Sequence, residues 1–171
     1  MVEKIFQSAL KAKRVGIFNL KETYRVLYEW LLHEGYEVYE KSYIETLQTG
    51  GTKEVDINWD AIKKYSDYFE FLIAIRFNPV KMTNVEVEVD GVKQKMNQGD
   101  FAVEFKCALI KDYDDKWDSN PFSRALRRFY DNYIVRERQE AYETKLVMEM
   151  DRLLEYTKES MLLTGKKTLS L

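Results

Sequence analysis

With 171 residues, 45% of them apolar and 33% charged, the chain has a globular composition and enough length for one domain with a real core. Its net charge of −2 argues against a generic nucleic-acid binder, and a single cysteine, Cys107, excludes an internal disulfide and fits a reducing compartment. No apolar run approaches the roughly 20 residues that span a bilayer, and the N-terminus has no apolar core of signal-peptide length, so a soluble, cytoplasmic protein is expected.

Residues 1–18 read as an N-terminal extension. A short amphipathic helix over 3–13 would gather Ile5, Phe6, Ala9 and Leu10 on one side, and Arg14–Phe18 would be a brief extended link or strand. From 19 onward a single domain is expected. Asn19 is a plausible N-cap with Glu22 three residues later. Leu20, Tyr24, Leu27 and Leu31 then recur at helical steps, widened by Val26 and Trp30, and Gly35 is placed to end the helix.

After Gly35 the period changes to two. Residues 36–47 read as a strand, with Tyr36 and Val38 on one face and Glu37, Tyr39, Lys41 and Tyr43 on the other. Thr49-Gly50-Gly51 supplies a turn. Val55, Ile57, Trp59 and Ala61 alternate next, although a helix over 59–65 competes for the end of that run. Phe69, Phe71, Ile73, Ile75 and Phe77 then give one wholly apolar strand face, which suits the middle of a sheet. Asn78-Pro79 is expected to end this strand, since proline cannot donate to a ladder. Val85, Val87 and Val89 lead to Asp90-Gly91, a strong hairpin signal, followed by a strand at 92–96. Asn97-Gln98-Gly99 reads as a further turn, and Phe101, Val103, Phe105, Cys107 and Leu109 as the last strand.

The final third reads as helix over 121–164, from Pro121 at the first helical position to Gly165. Its stripe runs through Leu146, Met150, Leu153, Leu154 and Met161 and is weakest near Val135–Gln139. Unbroken, it would outreach a domain of this size, so it either breaks there or projects toward a partner. The fold class expected is α+β: an antiparallel, twisted meander of five or six strands, covered by the helix at 20–34 and by the long C-terminal helix.

Several blocks together, GYEVYEKSYIE, EVDINWDAIKK followed by DYFEF, VEVEVDGVKQKMNQG and KDYDDKWDSNPFSRALRRFYDNYI, resemble a group of small archaeal proteins of uncharacterised function. The likeness covers about 20–163. It implies no catalytic motif, so no functional residues follow from it.

Chemistry-bearing residues are sparse. His33, the only histidine, fits a cation at a helix C-terminus better than a general base. Cys107 alternates with Phe105 and Leu109, as a core thiol would. Asp112, Asp114, Asp115 and Asp118 cluster around Trp117, but Lys116 stands where a calcium loop needs a ligand, and no glycine follows. Glu54, Asp56 and Asp60 share one strand face, read as solvated rather than as acid/base machinery. No catalytic residue, metal site or cofactor is assigned. The most suggestive feature is basic: Arg124, Arg127 and Arg128 at helical spacing, then Arg136 and Arg138.

The leading expectation is a non-enzymatic binding or assembly module working through protein contacts, with a protein partner or a homo-oligomer. A binder of RNA or of an anionic membrane surface, using the arginine face, is the first alternative. A hydrophobic-ligand carrier or enzyme with a pocket between sheet and helix is the second.

Overall fold

The computed structural model describes residues 3–111 and 136–166. Strand β1 (Glu3–Phe18), helix α1 (Leu20–His33), strands β2 (Glu37–Leu47), β3 (Lys53–Lys64), β4 (Phe69–Val89) and β5 (Val92–Lys111), and helix α2 (Arg136–Lys166) follow in order. The five strands form one antiparallel sheet, ordered β1-β5-β4-β3-β2. The expected α+β architecture is what forms. β2 to β5 are a meander, while β1 and β2, joined through α1, lie at opposite edges.

The first departure is β1. Residues 3–13, expected as a helix, are strand, and the extension is part of the sheet. Ala, Leu and Lys favour a helix in isolation, but pairing Glu3–Phe18 against β5 satisfies a backbone edge that would otherwise lie open. The segment turns Leu10 and Ala12 inward opposite Phe105 and Val103.

The second departure is the number of breaks. β4 runs through Pro79, and β5 runs through Asn97-Gln98-Gly99, so each joins two of the expected runs, and with β1 the sheet has five strands, within the five or six expected. Pro79 is tolerated because β3 shifts register beside it, between Lys53 and Ile57, and the Asn78 side-chain amide donates to the Val55 carbonyl at 3.2 Å. Between Val80 and Thr83 a bulge sets Lys81 at φ +53°, and Gly99 lies against it. A Cβ on Gly99 would stand 2.7 Å from the Val80 carbonyl oxygen and 2.9 Å from that of Lys81. Both obstacles are backbone, so Gly99→Ala is expected to lower stability by about 1–3 kcal/mol in chemical denaturation. A change within about 0.5 kcal/mol would show that the bulge gives way freely. Asn97 holds the other end of this region: its Oδ1 accepts from the Leu20 amide at 3.2 Å, fixing the start of α1 to β5.

Helix α1 forms as its caps direct. Asn19 Oδ1 accepts from the Glu22 amide at 3.0 Å. At the other end Gly35 adopts φ +86°, while the Gly35 and Tyr36 amides bond to the Leu32 and Leu31 carbonyls at 3.0 and 2.9 Å. That paired closure aims the chain into β2. Leu20, Thr23, Leu27 and Leu31 form its buried stripe.

Helix α2 is described over Arg136–Lys166; the expected helical span 121–135 lies outside the described residues. Its 31 residues, about 46 Å long, pack against β1, β5 and α1 rather than standing away from them. Leu146, Met150, Leu153 and Met161 are buried, as their spacing predicts. Together the helices cover a sheet face made of Trp59, Phe71, Phe77, Phe101 and Phe105 with the Ile, Val and Leu between them. Among the described residues no helix is long and apolar enough to cross a membrane.

Candidate functional site

Two arrangements stand out: a buried polar node under α2, and the free edge of β2. The node is built on Glu149, a carboxylate only 1% exposed in the buried stripe of α2. Tyr36 donates its phenol O–H to Glu149 Oε2 at 2.5 Å, and Lys63 Nζ donates to Oε1 at 3.1 Å. Tyr36 immediately precedes β2 at the α1 closure, and Lys63 lies near the end of β3, so the carboxylate ties α2 to the start of β2 and the end of β3. The Lys63 ammonium also lies 5.0 Å from the Tyr36 ring centroid and 5.7 Å from that of Tyr65. Tyr65 stacks on Phe71 at 4.8 Å, meets Tyr142 of α2 at 4.9 Å, and carries Lys145 Nζ 4.3 Å above its ring. Burial, reinforced by the Glu149 carboxylate, pushes the Tyr36 phenol well above its ordinary range. The phenol therefore stays a hydrogen-bond donor at neutral pH. A buried carboxylate is tolerated only when paired and hydrogen-bonded, and both conditions are met. Its chemistry is that of a clamp, since the carboxylate's partners belong to the fold.

The β2 edge is different. Among the described residues β2 pairs only with β3, and no strand lies along its other side. A bulge between Glu40 and Ser42 interrupts the register. Tyr39 therefore opposes Asp60 on the outer face, whereas Tyr43 opposes Ile57 on the helix-covered face. The single-face grouping of Tyr39, Lys41 and Tyr43 expected from strict alternation is corrected by this extra residue. Lys41, at the bulge, reaches Asp60 at 3.5 Å. Beyond it, Ser42–Leu47 runs regularly against Asn58–Lys53. The edge presents Tyr39, Tyr43, Ile44 and Leu47 at 49, 52, 57 and 73% exposure.

The residues singled out in the sequence distribute as follows. Arg124, Arg127 and Arg128 lie outside the described residues, as do Asp112, Asp114, Asp115, Trp117 and Asp118. Arg136 is the first described residue of α2, and Arg138, two residues on, is exposed. His33 is at the surface in the last turn of α1, 4.0 Å from the Glu34 carboxylate. Cys107 is buried, and desolvation pushes its thiol upward, away from the reactive thiolate. Asp56, Asp60 and Glu54 are half-buried on the outer sheet face, each with a partner. Arg76 binds Asp56 and holds its carboxyl below the usual range. Among the described residues, no group of three or more His, Cys, Asp or Glu is arranged to hold a metal ion.

Sequence reading missed the node. Its partners stand 113 and 86 positions from Glu149, and nothing local marks a glutamate in a helical stripe as buried. One signal was available: Glu149 falls beside Leu146, Met150 and Leu153 in the apolar stripe, where a charge requires a partner. No protein-family model matches the chain, and no curated protein matches it.

Proposed function

We propose that the protein is a non-enzymatic binding or assembly module that engages a protein partner through the free edge of β2. The supporting observation is the edge itself: a strand of 11 residues, unpaired on one side, with four large apolar side chains about half exposed or more. Such edges template pairing with another chain unless they are blunted. Here the bulge and Lys41 blunt the first half, and Ser42–Leu47 is left regular. Tyr and Ile at that position supply contact area with little side-chain entropy to lose. The buried single cysteine supports work in a reducing, cytoplasmic setting.

The test is a double substitution, Ile44→Lys with Leu47→Lys, at exposed positions, with stability expected to stay within about 0.5 kcal/mol of wild type. The wild type is expected to sediment as an oligomer or to be recovered from its native cells with a partner, and the variant to lose that association. Self-association shows in the purified protein alone; a different partner shows only in the cell extract. A wild type that is strictly monomeric and partnerless in both settings defeats the proposal.

A further inference from the structure

The opposite edge of the sheet carries a second surface of different chemistry. Between β1 and the C-terminal half of α2 lies an open groove of about 380 Å³. Lys11, Lys13 and Arg14 line it from β1 and Lys158 from α2, over a floor that includes Ala12 and Met161. The floor is apolar and well buried: Ala12 is 2% exposed and Met161 3%. Among the described residues no acidic one lines the groove. Two of its cations are offset from outside, Lys11 by Glu104 at 2.8 Å and Lys158 by Glu155 at 3.0 Å. Arg14 Nε donates to the Ile17 carbonyl at 2.8 Å, and among the described residues Lys13 has no ion-pair partner. Lys11 and Lys13 alternate with Ala12 and so lie on the sheet face away from α2, which gives this edge an apolar side toward α2 and a basic side away from it.

We propose that this groove takes an acidic peptide segment in extended conformation, added as a strand alongside Lys11–Val15. Among the described residues β1 pairs only with β5, so its other side is a sheet edge, and backbone amides and carbonyls along it match those of an incoming strand. An added strand alternates its side chains. Apolar residues would face Ala12 and Met161, and carboxylates on the other face would meet Lys11 and Lys13. A nucleic-acid backbone would satisfy the cations but carries no amide ladder to complement the strand. The five edge residues lining the groove extend about 16 Å. This site is independent of the β2 edge, with three strands between them.

The probe is a fluorescein-labelled octapeptide of alternating Glu and Val, followed by fluorescence anisotropy on the full chain at low salt. Saturable binding is expected, weakening as salt rises. Lys13→Glu should weaken it at least about tenfold, and N-methylation of alternate peptide amides should abolish it. A Lys-Val octapeptide should not bind. If the charge reversal lowers the melting temperature, Lys13→Met serves in its place, with a smaller loss expected. The proposal is overturned if neither peptide binds, if both bind alike, if the Lys13 substitution leaves affinity unchanged, or if N-methylation has no effect. It is also overturned if an oligothymidylate outcompetes the Glu-Val peptide at these residues, since phosphate would then be the ligand. Ile44→Lys/Leu47→Lys should leave this binding intact, so failure here and failure at β2 are told apart.

Discussion

Lys63→Met is expected to destabilise the protein by about 3–5 kcal/mol, because it leaves the Glu149 carboxylate buried with one partner in place of two. Glu149 is 1% exposed, so water cannot replace the lost ammonium without opening the contact between α2 and the sheet. For a chain of this size that corresponds to a fall in melting temperature of about 10 °C. The double variant Lys63→Met/Glu149→Met should recover most of the loss, since it removes the charge along with its partner. Tyr36→Phe should cost about 1.5–3 kcal/mol, the range for a hydrogen bond to a charged group. The cycle separates a clamp from a mere coincidence of neighbours: additive costs for the two single changes, with no recovery in the double, would show that Lys63 and Glu149 do not act together. A Lys63→Met chain within 1 kcal/mol of wild type would remove the clamp altogether.

Trp59→Ala should cost about 3–5 kcal/mol by a different mechanism, the cavity left in a close-packed layer. Trp59 is 1% exposed on the central part of β3. Its ring meets Tyr24 edge-on at 4.5 Å and Phe77 at 4.7 Å, with Tyr28 at 5.9 Å, so it joins α1 to β4 through β3. Trp59→Phe should keep most of this packing and lose distinctly less. Equilibrium denaturation of the pair decides the point: if the alanine and phenylalanine variants unfold alike, the indole is not filling the space that the ring contacts indicate. Both costs fall on the fold that supports the edges, and neither substitution touches Ile44, Leu47, Lys13 or Lys158.

Where the chain announced its structure, a short-range rule sufficed. α1 was legible because Asn19 and Gly35 close its two ends within a single turn, and its apolar stripe repeats between them. The inner face of β4 was legible because Phe69, Phe71, Ile73, Ile75 and Phe77 permit only one pleated orientation. β1 misled because its local preference is helical and its partner, β5, lies some 90 residues away, as the Lys11–Glu104 pair shows with a separation of 93. Pro79 and Gly99 looked like strand ends because each breaks a ladder locally. Their compensation comes from Asn78 and from the bulge at Lys81, visible only once the strands are set side by side. On β2 the extra residue at the bulge turned Tyr43 to the face opposite Tyr39, which no alternation rule foresees.

Taken alone, the order of residues determined the α+β class, the position of α1, the apolar face of β3, β4 and β5, and the stripe of α2. Each of these follows from spacing, since a period of two or of 3.6 places side chains on one face before any partner is met. The tertiary structure decided that 3–18 is a strand, that β1 and β2 are the two edges, that Glu149 is clamped, and that basic residues gather along the β1 edge. Those outcomes depend on contacts between segments far apart in the chain, where pairing a backbone edge or a buried charge outweighs local preference.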